Sequence, residues 1–268
     1  MSHSTSAQDH AGRVALVTGA SSGLGRAVAE ELAARGASVL LASRNREKLA
    51  AAVAAIEAAG GRAAAFAADM TRRADIEAAV AAAVERFGAL DAVLFNTGGP
   101  KLGSFLSLTD EDWLEGMDAT LLAFIRTVRA AVPVLRAAPD RPAHILAILS
   151  SSVKEGIDNL TMSNTYRPAI AALIRTLARE LGPRHILVNG VAPGRFMTER
   201  VVEVDRDAAA RRGITEEEAR AEMEARIPLG RYGRPRELGR VAAFLMGPEN
   251  TYVTGQTLLV DGGLVRGL

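Results

Sequence analysis

The chain has 268 residues, 32 lysines and arginines against 31 aspartates and glutamates, and no cysteine. That near-balance of charge argues against a nucleic-acid-binding domain. The lack of cysteine excludes disulfides, thiolate nucleophiles and zinc–thiolate sites, and fits a protein of the reducing cytoplasm. No apolar run approaches the ~20 residues that span a bilayer. The four histidines, His3, His10, His144 and His185, show no metal-ligand spacing, so no metal is expected.

Residues 1–12 are polar and lack the basic start and apolar middle of a signal peptide, so they are expected as a flexible N-terminal tail. From Arg13 onward, short apolar runs alternate with long alanine- and charge-rich segments of helical period. The apolar runs are VALVT, SVLLA, AAAFAA, DAVLFN, HILAILS, ILVNGV and QTLLVDG. Strand–helix alternation of this kind predicts one α/β domain over 13–268, a doubly wound parallel sheet of seven strands covered on both faces. The segment 196–226 breaks the rhythm. It is long and charged, predicts two helices, and follows strand six on the carboxyl edge where such sheets bind ligands. It reads either as a substrate lid or as a solvated helical insertion.

Strand one runs into TGASSGLG, Thr18 to Gly25. Glycines at 19, 23 and 25 allow a tight turn and close backbone approach to a pyrophosphate, and the following helix aims its first amides at that anion. Ser21, Ser22 and Leu24 complete this candidate cradle. Strand two ends at Ser43, Arg44 and Asn45, with no acid for ribose hydroxyls; an arginine there suits a 2′-phosphate, which favours NADP(H) over NAD(H). Strand three ends at Asp69 and Met70, where Asp69 is a candidate for the adenine edge. Strand four ends in Asn96-Thr97-Gly98-Gly99-Pro100. Taken in order, at strand ends, these residues predict a dinucleotide site.

With these motifs in place the sequence resembles the short-chain dehydrogenase/reductase family, and within it the branch resembling 3-oxoacyl-carrier-protein reductases. The resemblance runs from Arg13 to about Val265. It rests on TGASSGLG, on Asn96-Thr97-Gly98-Gly99 where the family usually has Asn-Asn-Ala-Gly, on Val191-Ala192-Pro193-Gly194 with Thr198, and on Val253-Thr254-Gly255-Gln256 and Val260-Asp261-Gly262-Gly263. It implies a Rossmann fold with strand order 3-2-1-4-5-6-7. Asn96, Gly98, Pro193, Gly194 and Thr198 are then implied cofactor contacts, and a homo-oligomer, tetramer or dimer, is the implied assembly. A small-molecule substrate, and neither nucleic acid nor membrane, is the expected partner.

The family's usual catalytic set is Asn, Ser, Tyr and Lys. Arg175 to Gly182 match the family's helix end. Counting back without a gap puts Arg167 at the lysine position, Ser163 at the tyrosine position and Ser150 at the serine position. Trp113 leads seven residues on to Thr120, where the structural asparagine is usual. The set therefore reads Thr120-Ser150-Ser163-Arg167, with only the serine retained. The sequence also resembles a sub-branch that shares these departures, including Asn-Thr-Gly-Gly-Pro and Ser-Val-Lys. Arginine keeps the charge and the capacity to hold the nicotinamide ribose but does not readily release a proton. An aliphatic alcohol is far less acidic than a phenol near pKa ~10.

Tyr166 and Lys154 are the candidate replacement proton donors, each with a plain alternative. Tyr166 packs against the next helix or subunit, and Lys154 is a solvated loop lysine, as Lys101 would also be. Pro168 is expected to delay or shift the helix. The expected function is an NADP(H)-dependent oxidoreductase acting on a carbonyl or imine through an altered set. A non-redox enzyme on the same scaffold and a non-catalytic NADP(H)-binding protein remain the alternatives.

Overall fold

In the computed structural model, which describes residues 8–267, the apolar runs form seven strands. They are β1 (Val14–Thr18), β2 (Ser38–Ser43), β3 (Arg62–Ala67), β4 (Ala92–Phe95), β5 (Ala143–Ile148), β6 (Ile186–Pro193) and β7 (Thr257–Val260). All pair in parallel, in the order β3-β2-β1-β4-β5-β6-β7, as the family resemblance implied. The central strands β1, β4, β5 and β6 are buried along their whole length, which is why they read as continuous rather than alternating apolar runs.

Helices cover both faces: α1 (Gly23–Ala34), α2 (Arg46–Ala58), α3 (Arg73–Phe87), α4 (Asp110–Met117), α5 (Ala123–Ala131), α6 (Thr161–Leu181), α7 (Glu199–Arg212), α8 (Glu216–Arg226) and α9 (Pro235–Leu245). Two apolar layers result. Ala15, Val17, Val39 and Leu41 meet α1, α2 and α9 on one face; Leu16, Leu40, Val93 and Phe95 meet α3, α5 and α6 on the other. Among the described residues no helix is long and apolar enough to cross a membrane.

Chain order places β4 beyond β1 after β2 and β3 have stacked on its other side. The connections therefore diverge between β1 and β4, opening a crevice at their carboxyl ends. Thr18 and Asn96 lock the two ends together. Thr18 Oγ1 donates to the Asn96 carbonyl at 2.8 Å and accepts from the Asn96 amide at 2.9 Å, while Asn96 Nδ2 donates to the Gly19 carbonyl at 3.1 Å.

The opposite, amino-terminal end of the sheet holds a buried charged cluster. Asp91 is fully buried, accepts from the Val14 amide at 2.8 Å, and pairs with Arg136 at 2.8 Å and Arg141 at 3.2 Å. Residues 1–7 of the expected tail lie outside the described residues. Its remaining part is not loose: His10 is 2% exposed with Nε2 3.1 Å from the Ala243 carbonyl, and Asp9 pairs with Arg35 at 3.2 Å. The described fold therefore begins before Arg13, because an imidazole finds the Ala243 carbonyl of α9 and a carboxylate finds Arg35, just past the end of α1.

His144 lies in the same cluster, on β5, where burial and then the charges of Arg13 and His10 push its pKa down from 6.5 to about 3. Between those values the unfolded chain binds a proton that the folded chain refuses. Stability therefore rises with pH through that window by up to about 1.4 kcal/mol per unit, and this contribution is flat above it. We expect His144→Leu to reduce the slope of urea-unfolding midpoint against pH between pH 4.5 and 7.5. An unchanged slope would remove His144 from the account. The Asp91 carboxyl, held below the usual carboxylate range, contributes only below that range's ordinary value, where its protonation weakens the paired state.

Candidate functional site

A cavity of about 850 Å³ opens at the carboxyl ends of the strands, and it joins the two halves of the motif set. Gly19, Ser21, Ser22, Gly23 and Leu24 form one end, with Ser43 and Arg44 beside them. Asn96 and Gly98 follow, then Pro193, Gly194 and Thr198. Ser150, Ser163 and Arg167 line the same space.

The glycine turn is shaped for an anion held by backbone. Gly19 and Gly23 both have φ +57°, a region open to glycine and costly for other residues. A Cβ on Gly19 would lie 2.6 Å from the Asn96 carbonyl oxygen, and one on Gly25 would overlap the Gly19 carbonyl oxygen. Ser22 precedes α1 without capping it by its side chain, so the helix presents its first-turn amides uncapped. Ser21 Oγ and Ser43 Oγ lie 3.0 Å apart, joining the turn to the end of β2. Arg44 projects there, exposed and free of any ion pair among the described residues. This cradle fits a dinucleotide, with Arg44 beside it at the end of β2.

Four of the expected cofactor residues do not line the cavity. Gly25 lies behind the turn, where its missing Cβ permits close packing of α1 on β1 and β4. Asn45 caps α2, accepting from the Lys48 amide at 2.8 Å. Asp69 closes a local turn, its Oδ1 accepting from the Thr71 amide at 3.0 Å and the Thr71 hydroxyl at 2.9 Å. The Thr71 amide chiefly, with a smaller effect from the Arg44 charge, keeps its carboxyl below the usual range. Met70 is buried in the core against α3.

On the reacting side, β5 delivers Ser150 at its carboxyl end. Ser150 Oγ accepts from the Ser152 amide at 3.1 Å, which starts a 3₁₀ turn over Ser151–Val153 and leaves its own proton available to the cavity. Ser163 and Arg167 stand one turn apart on α6, so they share a face. Both are buried, at 6% and 5% exposure. Arg167 Nη1 donates to the Ile148 carbonyl at 2.6 Å. Burial, and then the nearby Arg200 charge, pull the guanidinium pKa down to about 10, so it remains cationic at neutral pH.

Neither candidate replacement donor reaches this space. Successive residues of a helix are about 100° apart, so Tyr166 points well away from Arg167. It is buried against α4, where its hydroxyl donates to the Trp113 carbonyl at 2.7 Å and its ring meets the Trp113 ring edge-on at 5.8 Å. Burial raises its pKa. Lys154 is exposed on the loop and does not line the cavity, and Lys101 is tied to Asp112 at 2.8 Å. Pro168 does not delay the helix: α6 begins at Thr161 and runs through it. Thr120 sits in a π-helical turn, Asp118–Leu122, between α4 and α5. It is fully buried, and its hydroxyl makes no hydrogen bond to a described residue.

The segment after β6 forms the predicted two helices, and both line the cavity. The start of α7 is held on both sides of the crevice. Glu199 pairs with Lys48 of α2 at 3.0 Å, and Arg200 Nη2 donates to the Pro100 carbonyl at 2.9 Å. Gly99 makes the second contact possible, since a Cβ there would lie 2.7 Å from the Arg200 guanidinium. Sequence reasoning did not single out Arg200. A charged residue in a charged helix carries no signal of its own, and the proximity to Gly99 spans about a hundred residues of chain.

Comparison with known proteins gives a consistent set of relatives. A family model described as enoyl-(acyl carrier protein) reductase matches residues 19–265. The short-chain reductase protein NovJ of Streptomyces niveus is 38% identical over 251 residues, 93% of each chain. The 3-oxoacyl-(acyl-carrier-protein) reductase FabG of Thermotoga maritima is 31% identical over 257 residues, 95% of this chain and 98% of the relative. Among solved structures, a Phe-to-Trp variant of an actinorhodin polyketide ketoreductase with NADPH superimposes with TM-score 0.90 at 32% identity, over 96% of this chain and 98% of that one.

Proposed function

The chain belongs to the short-chain dehydrogenase/reductase family, and from that premise we propose that it is an NADP(H)-dependent oxidoreductase reducing a carbonyl, 3-oxoacyl-like, or imine substrate through an altered catalytic set. One observation carries the reading: the glycine cradle with Arg44 and the trio Ser150, Ser163 and Arg167 line a single cavity. When bound, NADPH supplies a hydride to the carbonyl or imine carbon while a proton goes to the oxygen or nitrogen, leaving NADP⁺ and the alcohol or amine.

Within this reading Ser150 and Ser163 donate hydrogen bonds to the substrate heteroatom. Arg167, anchored on Ile148, turns part of its remaining N–H set to the nicotinamide ribose. The donated proton comes from water or through Ser163, since Tyr166 and Lys154 do not line the cavity. An imine suits such a site, because it can arrive already protonated. The α7–α8 segment acts as the substrate lid. The protein works in the cytoplasm as a homo-oligomer on a small-molecule substrate.

The test is NADPH binding followed by NADPH oxidation across carbonyl and imine panels. Arg44→Ala is expected to weaken NADPH binding about tenfold to a hundredfold, the worth of a charge-assisted contact to phosphate, and to leave NADH binding nearly unchanged. Equal losses for both cofactors would sink the 2′-phosphate role. Among the described residues no phenol or amine lines the cavity, which keeps a non-redox reading as the second one. Product formation without NADPH consumption selects it.

A further inference from the structure

The arginines of the cavity differ in how their charge is met. Arg195 pairs with Asp205 at 3.2 Å, Arg200 with Glu203 at 2.8 Å, Arg211 with Asp207 at 3.0 Å and Arg212 with Glu222 at 2.6 Å. Arg44 and Arg226 are exposed and hydrated. Arg167 is 5% exposed, and among the described residues it has no carboxylate partner; a single carbonyl takes one of its five N–H groups. A buried cation without a counter-charge is costly and is normally paired. The cavity's own acids do not serve. Glu199 is held by Lys48 and Glu203 by Arg200, while Glu155 and Asp158 are exposed on the loop after Ser150.

We propose that the substrate supplies the missing charge: it is a carbonyl or imine compound carrying a carboxylate close to the reacting carbon, and Arg167 receives that carboxylate with Arg200 nearby. This rests on the reductase reading above and narrows its substrate class. Ribose hydroxyls are neutral, so they occupy donors of Arg167 and leave its charge in place. The nicotinamide ring brings no negative charge either, and the cofactor's phosphates belong with the glycine cradle. Ser163 and Arg167 share one face of α6 and line the same cavity, so a heteroatom on Ser163 and a carboxylate on Arg167 belong to one molecule, and acids with the carboxylate next to the carbonyl or one carbon further are the ones to test. The planar guanidinium fork matches a carboxylate in two parallel hydrogen bonds.

The experiment uses the full chain saturated with NADPH. Oxamate binding is measured by calorimetry, and turnover is measured with 2-oxobutyrate against methyl 2-oxobutyrate and with acetoacetate against methyl acetoacetate. At least one acid is expected to exceed its ester in kcat/KM by tenfold or more. Oxamate is expected to bind at least tenfold more weakly to Arg167→Gln and to Arg200→Met, with Arg167→Lys recovering much of the affinity because it keeps the charge. NADPH affinity measured in parallel separates the two ideas. NADPH binding and turnover with esters favoured, or oxamate affinity unchanged in both charge-removing variants, overturns the carboxylate inference and leaves the reductase reading standing. Failure to bind NADPH overturns the reductase reading, and the inference with it.

Discussion

Replacing Ser163 by tyrosine and Arg167 by lysine is expected to raise turnover of 3-oxoacyl-type thioesters by about 10²- to 10⁴-fold, the usual worth of a positioned general acid. The backbone is already arranged for it. Ser163 and Arg167 are one turn apart on α6 and line the cavity that Ser150 also lines. A phenol has a pKa near ~10 against a far weaker aliphatic alcohol, and a lysine on the same face lowers it further by its charge. Neither native residue supplies that acid: Ser163 is an alcohol, and Arg167 holds its proton even with its pKa pulled down to about 10. Adding Thr120→Asn places an amide in the π-helical turn, where the native hydroxyl has no described partner. The readout is kcat/KM with NADPH binding measured in parallel. A triple variant that binds NADPH as the native chain does yet gains nothing would show that the missing acid is not what distinguishes this site.

Gly25→Ala is expected to weaken NADPH binding by tenfold or more and to lower stability by about 1–3 kcal/mol, the range for overpacking a tight interior. The new Cβ would overlap the Gly19 carbonyl oxygen and lie 2.7 Å from Asn96 Nδ2, so the obstacle includes backbone that cannot swing aside. To relieve it, α1 must retreat from β1 and β4, carrying its amino-terminal amides away from the cradle. Gly182→Ala is the control, since a Cβ there meets nothing within 4 Å and the residue has no positive φ. Thermal unfolding and NADPH titration of the two variants check both halves. A Gly25→Ala protein with native stability and native NADPH affinity would mean that this packing contact does not govern the cradle.

Much of the fold was legible because the sheet is buried on both faces. A buried parallel strand must be apolar throughout and must end where the chain turns, so seven apolar runs bounded by turn residues predicted seven strands. The glycine turn was legible for a related reason: Gly19 and Gly23 take positive φ, and Gly25 has no room for a Cβ. Strand order and the spacing of Ser150, Ser163 and Arg167 came through the family resemblance instead. Local sequence does not say which strands are neighbours.

The tertiary structure decided the rest, because a residue type at a strand end does not say which way its side chain turns. Asn45 and Asp69 each give a side-chain oxygen to an amide two or three residues ahead, which is local turn chemistry. Tyr166 is rotated onto Trp113 by the pitch of α6, and His10 finds a carbonyl 233 residues away. Arg167 shows the division most clearly. Its cation is written in the sequence, but that this cation is buried, anchored on Ile148 and, among the described residues, left without a carboxylate depends on what distant segments bring around it. Sequence by itself determined the periodicity, the glycine turn and the charges available. Burial and pairing of those charges are long-range properties, and only the folded chain sets them.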